Sequence, residues 1–163
     1  MAYLLDSDTL IQAKDENYPI DVCPGFWDWL DRQNAAKDVF SVSAVKDELE
    51  RGTDELSQWT KKRGDDFFLP VDDRTSGAMA AVAGWVQAAD FREDAKRTFL
   101  AGADPWLIAR ALAHGHTVVT REVHVEGHKS KVKIPTVCKA LNVPCMRALD
   151  MLRKEKVQFV LKA

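Results

Sequence analysis

The sequence predicts an α/β fold in which a mainly parallel sheet is covered by helices on both faces. Short apolar runs of four or five residues recur along the chain, and segments with helical spacing separate them. Parallel strands need such crossover helices, and strands that are buried on both faces are typically continuous apolar runs. At 163 residues the chain is expected to form a single domain, residues 1–163, with a sizeable core.

Short apolar runs of the kind found in buried strands occur at five places. They are residues 2–5, 39–42, 67–71, 116–120 and 157–161. Helical spacing or helix-end residues occur between and after these runs. The predicted helices are residues 24–33, 43–52, 54–64, 75–89, 103–115, 134–141 and 146–155.

Helix boundaries are best marked in two of these segments. Ser43 is predicted as an N-cap and Gly52 as the end of the same helix. In the later segment, Asp104 is predicted as the N-cap, Pro105 as the first helical residue and Gly115 as the end. The helix that begins at Asp104 leads directly into the strand predicted at 116–120.

Composition excludes several classes of protein. The hydrophobic fraction is 46% and the charged fraction 29%, which is ordinary for a globular protein. No apolar run approaches the ~18 residues of a membrane span, and Asp6 and Asp8 interrupt the first apolar stretch too early for a signal peptide. Three cysteines without a CxxC pair indicate no disulfide framework. We therefore expect a cytoplasmic protein without membrane association.

Charge is distributed unevenly along the chain. The net charge of −2 combines a balance of −8 in residues 1–120 with +6 in residues 121–163. The basic third contains KSKVK at 129–133 and RKEK at 153–156. Such a split is typical of a polyanion partner, of self-association between unlike surfaces, or of an ordinary solvated basic face.

Acidic residues follow or precede the predicted strands at several points. Asp6 and Asp8 come directly after the first strand, and Glu48 lies on the helix after 39–42. Asp104 lies at the start of the helix that leads into the strand 116–120, and Glu122 comes two residues after that strand. Strand ends of a parallel sheet meet at one edge, where sites form. Clustered carboxylates repel one another unless a cation is bound, and Mg²⁺ prefers such oxygen ligands. Taken singly, each acid is equally typical of a turn, a cap or a solvated surface, so the ordered set carries the prediction.

Three segments together resemble the PIN-domain nucleases. They are LLDSDTLI, VSAVKDELERG and GADPWLIARALAHGHTVVTRE. In that family a strand ends in Asp, a helix carries a Glu-Leu pair, an Ala-Asp pair opens a helix, and the next strand ends in Thr-Arg-acid. Asp6, Glu48, Asp104 and Glu122 match these positions. The chain is most similar to the VapC-like toxin group, and especially to an uncharacterised bacterial PIN-like subfamily.

The resemblance implies a fold, an activity and partners. The fold is a three-layer α/β/α sandwich with a mainly parallel central sheet. The activity is endoribonuclease cleavage dependent on Mg²⁺ or Mn²⁺, in which a metal-bound water attacks the scissile phosphate. The metal ligands and catalytic residues are the four matched acids, with Asp8 as a further ligand. For a toxin of a type II toxin–antitoxin system, the partners are an RNA substrate, a cognate antitoxin protein and a second copy in a homodimer.

Two positions depart from the family pattern. The fourth acid is usually Asp, whereas this chain has Glu122, and Glu126 could take its place. The position two residues after the first Asp is usually Asn, whereas this chain has Asp8. Asp8 either strengthens metal binding or only forms the hydrogen bonds that Asn would form.

Neighbouring polar residues are expected to assist the four acids. Ser7 and Thr120 lie next to the strand ends and are expected to orient water or phosphate. The basic residues after the last predicted central strand are expected to contact RNA phosphates. They are Arg121, Lys129, Lys131 and Lys133.

Three other functions remain to be distinguished. A haloacid dehalogenase-like phosphatase would use Asp6 as nucleophile and Asp8 as acid, with Asp72 and Asp73 as its later acidic pair. A catalytically weak PIN-like chain would act as an RNA- or protein-binding module. A zinc site at His124 and His128 is disfavoured because Gly127 interrupts the helix that the spacing requires.

Overall fold

The computed structural model describes residues 1–162 and confirms the α/β/α sandwich. Within these residues, five strands form one sheet in the order β3-β2-β1-β4-β5, and every neighbouring pair is parallel. The strands are β1 (Tyr3–Leu5), β2 (Val39–Val42), β3 (Phe68–Leu69), β4 (Thr117–Val119) and β5 (Cys145–Met146).

Nine α-helices occur in the same described part of the chain. They are α1 (Ser7–Gln12), α2 (Pro24–Ala35), α3 (Ser43–Glu50), α4 (Glu55–Lys61), α5 (Asp73–Ala88), α6 (Glu93–Ala101), α7 (Asp104–His114), α8 (Ile134–Ala140) and α9 (Ala148–Lys154). A π-helical turn, Ala13–Asn17, continues α1. None of the helices within residues 1–162 has the length and apolarity to cross a membrane.

The centre of the sheet is the most deeply buried part of the molecule. All three residues of β1 and all three of β4 are buried, and Leu4 pairs with both Phe40 and Val118. The polar Ser41 is also fully buried, but its hydroxyl donates to the carbonyl of Leu5 at 2.7 Å. This hydrogen bond satisfies both groups inside the core.

The sheet reverses its order beside β1. The chain passes from β1 outward through β2 to β3 and then returns to place β4 on the other side of β1. Such a reversal opens a crevice at the carboxyl ends of the two strands, because the loops that leave them diverge. Asp6 follows β1 directly, and Thr120 follows β4, so both lie at this crevice.

The prediction of a last strand at residues 157–161 was wrong. Residues 157–161 form no strand, and the edge position beside β4 is occupied by Cys145–Met146, of which Met146 was predicted as the start of a helix. The apolar character of 157–161 instead serves packing, since the ring of Phe159 contacts the rings of Tyr18 and Phe26 at centroid distances of 5.8 and 6.3 Å.

Two predicted helix caps also lie one residue away from their expected positions. Val42 and Ala103 occupy the N-cap positions of α3 and α7, so Ser43 and Asp104 are the first helical residues. The end of α7 is as predicted, because Gly115 adopts the left-handed conformation with φ of 71°. The displacement of Asp104 frees its carboxylate from capping its own helix.

Candidate active site

Asp6 is a buried carboxylate at the point where β1 ends. It is the N-cap of α1, and its Oδ1 accepts a hydrogen bond from the backbone N–H of Thr9 at 2.7 Å. Its side chain is 2% exposed. Burial raises the pKa of Asp6 to about 6, although hydrogen bonds with Thr120 and Thr9 lower it, and the charge of Asp8 adds to the rise.

Glu48 joins three separate elements of the chain. From its position on α3, Oε2 accepts a hydrogen bond from the Ser7 hydroxyl at 2.7 Å. Its Oε1 accepts from the backbone N–H of Ala103 at 3.0 Å. The carboxylate therefore links the first residue of α1 to the N-cap of α7. A negative charge at this end of an 11-residue helix is also favoured by the helix dipole.

Asp104 lies at the centre of the acidic residues. Its pKa is raised to about 7, first by burial and then by the negative charges of nearby carboxylates. In decreasing order of effect, those carboxylates belong to Glu122, Asp6, Glu48 and Asp8. The structure thus brings the other four predicted acids close enough to Asp104 to raise its pKa.

Glu122 is held in place by the segment that follows it. Its Oε2 accepts a hydrogen bond from the backbone N–H of Ile134 at 2.9 Å, at the start of α8. Its Oε1 lies 3.3 Å from Nζ of Lys131, and its backbone N–H donates to the Thr120 hydroxyl at 3.1 Å. The side chain is only 9% exposed.

Glu126 occupies a different environment from Glu122. Its side chain is 89% exposed, and it pairs with Nε2 of His124 at 2.9 Å on the surface loop. The structure therefore brings Glu122, and not Glu126, into the acidic cluster.

A cleft of about 290 Å³ opens over these carboxylates. Four of the acids form part of its wall, while the buried Asp6 does not. The lining of this acidic cleft includes Ser7, Asp8, Glu48, Asp104, Glu122 and Lys131. Additional lining comes from α6, which the sequence analysis had not predicted.

The donor chemistry of the acidic cleft fits a hard divalent cation. Every acid is an oxygen donor. Burial first, and neighbouring negative charges second, raise the pKa values of Asp6 and Asp104, and a bound cation would favour their charged forms. As the side chains stand, no three of the His, Cys, Asp and Glu residues within 1–162 are grouped closely enough to hold a metal ion. Mg²⁺ is commonly bound in proteins through one or two carboxylates, with water and substrate completing its shell.

Comparison with known proteins gives the family and the fold. The family model described as a domain of unknown function, DUF4411, matches residues 3–159. The chain belongs to the DUF4411 family. No curated protein matches its sequence. A solved structure described as FitAB bound to an IR36 DNA fragment is 18% identical, with a TM-score of 0.52, and covers 89% of this chain and 94% of that chain. At that identity the likeness concerns the fold alone, and it agrees with the predicted α/β/α sandwich.

The basic residues of this DUF4411 protein lie in different surroundings. Lys131 lines the acidic cleft, whereas Lys129 forms an ion pair with Asp90. Lys133 is the N-cap of α8, and Arg121 lines a second cavity beside the cleft. Their predicted contacts with RNA remain predictions.

The later acidic pair of the phosphatase alternative lies outside the acidic cleft. Asp72 caps α5 by accepting from the backbone N–H of Thr75 at 2.8 Å, and it pairs with Arg110 and His114, each at 2.9 Å. These contacts hold its pKa well below the usual range, and Thr75 has the largest effect. The acidic pair expected of a phosphatase is therefore not part of the cleft.

Zinc ligation is not supported by the surroundings of the histidines. Nδ1 of His124 lies 2.8 Å from the Thr136 hydroxyl, and its Nε2 pairs with Glu126. His128 contacts the hydroxyl of Ser130 at 3.2 Å. The two rings thus have different partners.

Two arginines near this edge were missed in the sequence analysis. Arg147 follows β5, and Arg153 lies on α9; both line the cavity that also contains Arg121. The RKEK segment, which begins at Arg153, indicated positive charge. Because the last strand was predicted at 157–161 and not at Cys145–Met146, the sequence did not predict that Arg147 and Arg153 lie near the acidic cleft.

Proposed function

We propose that this DUF4411 protein is a metal-dependent endoribonuclease. The observation that supports the proposal is the grouping of four other carboxylates around Asp104 at the crevice of a PIN-like sheet. Structural ion-pair networks also shift pKa values, but this cluster contains five negative charges and one lysine, Lys131, that pairs with it. Such an excess of negative charge in a cleft is typical of a cation site.

Each acid has a role that follows from its contacts. Asp104 and Asp6 are the ligands proposed for Mg²⁺ or Mn²⁺, together with Glu48, Glu122 and Asp8 at the wall of the cleft. When bound, such a cation would activate water and offset negative charge on the phosphate. Glu48 and Glu122 are fixed by backbone N–H groups, so they are already oriented before any ligand enters.

The remaining polar residues position the acids and the substrate. Ser7 donates to Glu48, and Thr120 bonds with Asp6 and with the backbone of Glu122, so both hydroxyls orient carboxylates. In the proposed complex, Lys131 leaves Glu122 and contacts a phosphate oxygen. Its side chain is 59% exposed, which permits this movement.

We further propose that the protein acts in the cytoplasm as the toxin of a type II toxin–antitoxin system. Support comes from the likeness in fold to FitAB, which was solved on DNA. An antitoxin would require a surface of its own, and apolar residues are exposed around the cavity next to α2. Val22, Val160 and Leu161 are 76%, 80% and 97% exposed there. A second copy of the chain is the alternative occupant of that surface.

A binding module without catalysis is the second candidate. It is favoured by Glu122, whose two oxygens already contact Ile134 and Lys131, and by the absence within residues 1–162 of three grouped metal ligands. In this case the acidic residues would serve the fold, and RNA would bind without being cut.

The deciding experiment is RNA cleavage by the full chain with Mg²⁺, with Mn²⁺ and with EDTA. We expect cleavage with either metal and none with EDTA, and we expect Asp6→Asn and Asp104→Asn to abolish it. Asp21→Asn is the matched control, because Asp21 is exposed and lines neither the acidic cleft nor the arginine-lined cavity beside it. RNA that binds but stays intact would favour the binding module, and release of phosphate from p-nitrophenyl phosphate would favour a phosphatase.

A further inference from the structure

Three arginines from separate parts of the chain line one cavity beside the acidic cleft. Arg121 follows β4, Arg147 follows β5, and Arg153 lies on α9. The cavity has a volume of about 360 Å³. We call it the arginine cavity.

Residues adjacent in the chain line the arginine cavity and the acidic cleft. Ser7 and Asp8 line the acidic cleft, and Thr9, the next residue of α1, lines the arginine cavity. In the same way, Glu122 lines the cleft and Arg121 lines the cavity. The Thr9 hydroxyl donates to the carbonyl of Val119 at 3.2 Å, which fixes α1 against the end of β4. A strand of RNA in the cleft would therefore pass the arginines as it leaves.

The three arginines have no acidic partner in the structure. Among residues 1–162, no carboxylate oxygen lies within 4.0 Å of their guanidinium nitrogens, although Asp150 also lines the cavity. Elsewhere in the chain, Arg63 pairs with Asp31 at 2.5 Å and Arg110 pairs with Asp72 at 2.9 Å.

The charge of the arginine cavity identifies its ligand as an anion. Three positive side chains facing one space repel one another, and a bound anion would remove that repulsion. The planar guanidinium group presents paired donors that match the oxygens of a phosphate. The cavity is therefore suited to a phosphate.

Aromatic contacts favour recognition of backbone phosphate over recognition of a base. Tyr18 is the aromatic side chain in the wall of the arginine cavity, and its ring is already stacked on Phe26 with centroids 4.5 Å apart. No other aromatic ring in the described wall offers a face for a base. Bases on single strands are otherwise bound by stacking on such faces.

We propose that the arginine cavity binds a backbone phosphate of RNA that flanks the scissile phosphate, with Arg147 and Arg153 as its principal contacts. The inference rests on the proposed ribonuclease function and adds a phosphate subsite to it. Contacts of this kind position the strand without reading its sequence. They would explain how an acidic cleft retains a polyanion, because the positive charges lie immediately beside it.

The test is binding of a labelled twelve-nucleotide oligouridylate in EDTA at several salt concentrations. Each phosphate contact on a single strand contributes about −0.7 to the slope of log K against log salt. We expect Arg147→Gln/Arg153→Gln to flatten the slope by about 1.4. The control Arg32→Gln/Lys61→Gln removes the same charge from exposed residues that line neither cavity, and it should keep the wild-type slope.

A second variant separates charge from geometry. Arg147→Lys/Arg153→Lys keeps both charges but loses the paired donors, so we expect the wild-type slope with weaker affinity. An unchanged slope in the glutamine variant overturns the proposal, and so does wild-type protein that binds no RNA. Loss of binding to a cognate partner protein with an unchanged RNA slope also overturns it, in favour of an acidic protein ligand.

Failure of the subsite can be told apart from failure of the ribonuclease proposal. Binding is measured without metal, so it does not depend on cleavage. If wild-type protein cleaves RNA with Mg²⁺ and the glutamine variant keeps the wild-type salt slope of RNA binding, only the phosphate subsite is rejected. If the glutamine variant shows the expected change in salt slope but wild-type protein never cleaves RNA, the ribonuclease proposal is rejected and the phosphate contact is retained.

Discussion

The carboxylate of Glu48 accepts a hydrogen bond from the backbone N–H of Ala103 at 3.0 Å, across 55 residues of sequence. The donor is the N-cap of α7, and Asp104 is the next residue. An acid on one helix therefore sets where another helix begins, and with it the position of the carboxylate at the centre of the cluster. Glu48 also accepts a hydrogen bond from the Ser7 hydroxyl, which fixes the start of α1 next to the start of α7.

Removal of the Glu48 carboxylate is expected to destabilise the fold. Glu48→Ala leaves the Ala103 N–H and the Ser7 hydroxyl without their acceptor, and hydrogen bonds to a charged group are worth ~1.5–3 kcal/mol. We expect the free energy of unfolding, measured with urea, to fall by about 2 kcal/mol. Glu48→Gln keeps an acceptor oxygen and should lose less. Both variants should lose RNA cleavage, and an alanine variant as stable as wild type would contradict the bridging role.

Asp104 is expected to make stability fall as pH rises. Its folded pKa of about 7 lies above the value of an unfolded Asp, so the native state binds more protons between about pH 4 and 7. Its contribution to stability is complete below pH 4 and is lost as pH rises through 7. In EDTA, Asp104→Asn should therefore be more stable than wild type at pH 8.

The comparison of two pH values isolates this effect. Between pH 5 and pH 8 the advantage of Asp104→Asn should grow by on the order of 2 kcal/mol, measured by urea unfolding at both values. Asp21→Asn is the control, and its difference from wild type should not change in this way. An advantage that is the same at both pH values would show that Asp104 is already ionised at pH 5.

Divalent cations are expected to raise the melting temperature of the full chain. A ligand at 100 times its Kd stabilises the native state by about 2.7 kcal/mol. For a domain of this size that corresponds to a rise of roughly 5–10 °C with Mg²⁺ or Mn²⁺. The rise should disappear in Asp6→Asn and Asp104→Asn, persist in Asp21→Asn, and reverse with EDTA. Equal rises in all four proteins would place the cation elsewhere.

Lysines after Glu122 are expected to contribute to the salt dependence of RNA binding. Replacing Lys129, Lys131 and Lys133 together by Gln should flatten the slope of log K against log salt by about 2, and Lys131→Gln alone by about 0.7. Lys131 is distinguished because it lines the acidic cleft. If the triple variant keeps the wild-type slope, none of the three lysines contacts an RNA phosphate. The alternative hypothesis is then that they bind an acidic partner protein.

Growth of a bacterial host tests the toxin proposal. Induction of the wild-type chain alone should arrest growth, and Asp6→Asn should relieve the arrest because it removes a ligand of the proposed metal. Immunoblots must show equal amounts of both proteins. A wild-type enzyme that cleaves RNA in vitro yet leaves growth unaffected would indicate a role in RNA processing instead.

The sequence alone determined four of the five strands and the edge at which the acids meet. Short apolar runs separated by helical segments are typical of buried parallel strands, and the carboxyl ends of parallel strands meet at one edge of a sheet. Asp6 and Glu122 follow two of those strands, so their proximity was predictable from topology without any knowledge of contacts.

Tertiary structure decided which neighbouring residues join the acids. Glu122 rather than Glu126 enters the cluster because the backbone N–H of Ile134 donates a hydrogen bond to the Glu122 carboxylate. Asp104 is released from capping because Ala103 takes that position and Glu48 receives its N–H. Arg147 reaches the same edge only because Cys145–Met146 pairs with β4. Each of these outcomes depends on hydrogen bonds between residues distant in sequence. Local residue patterns do not predict such partners.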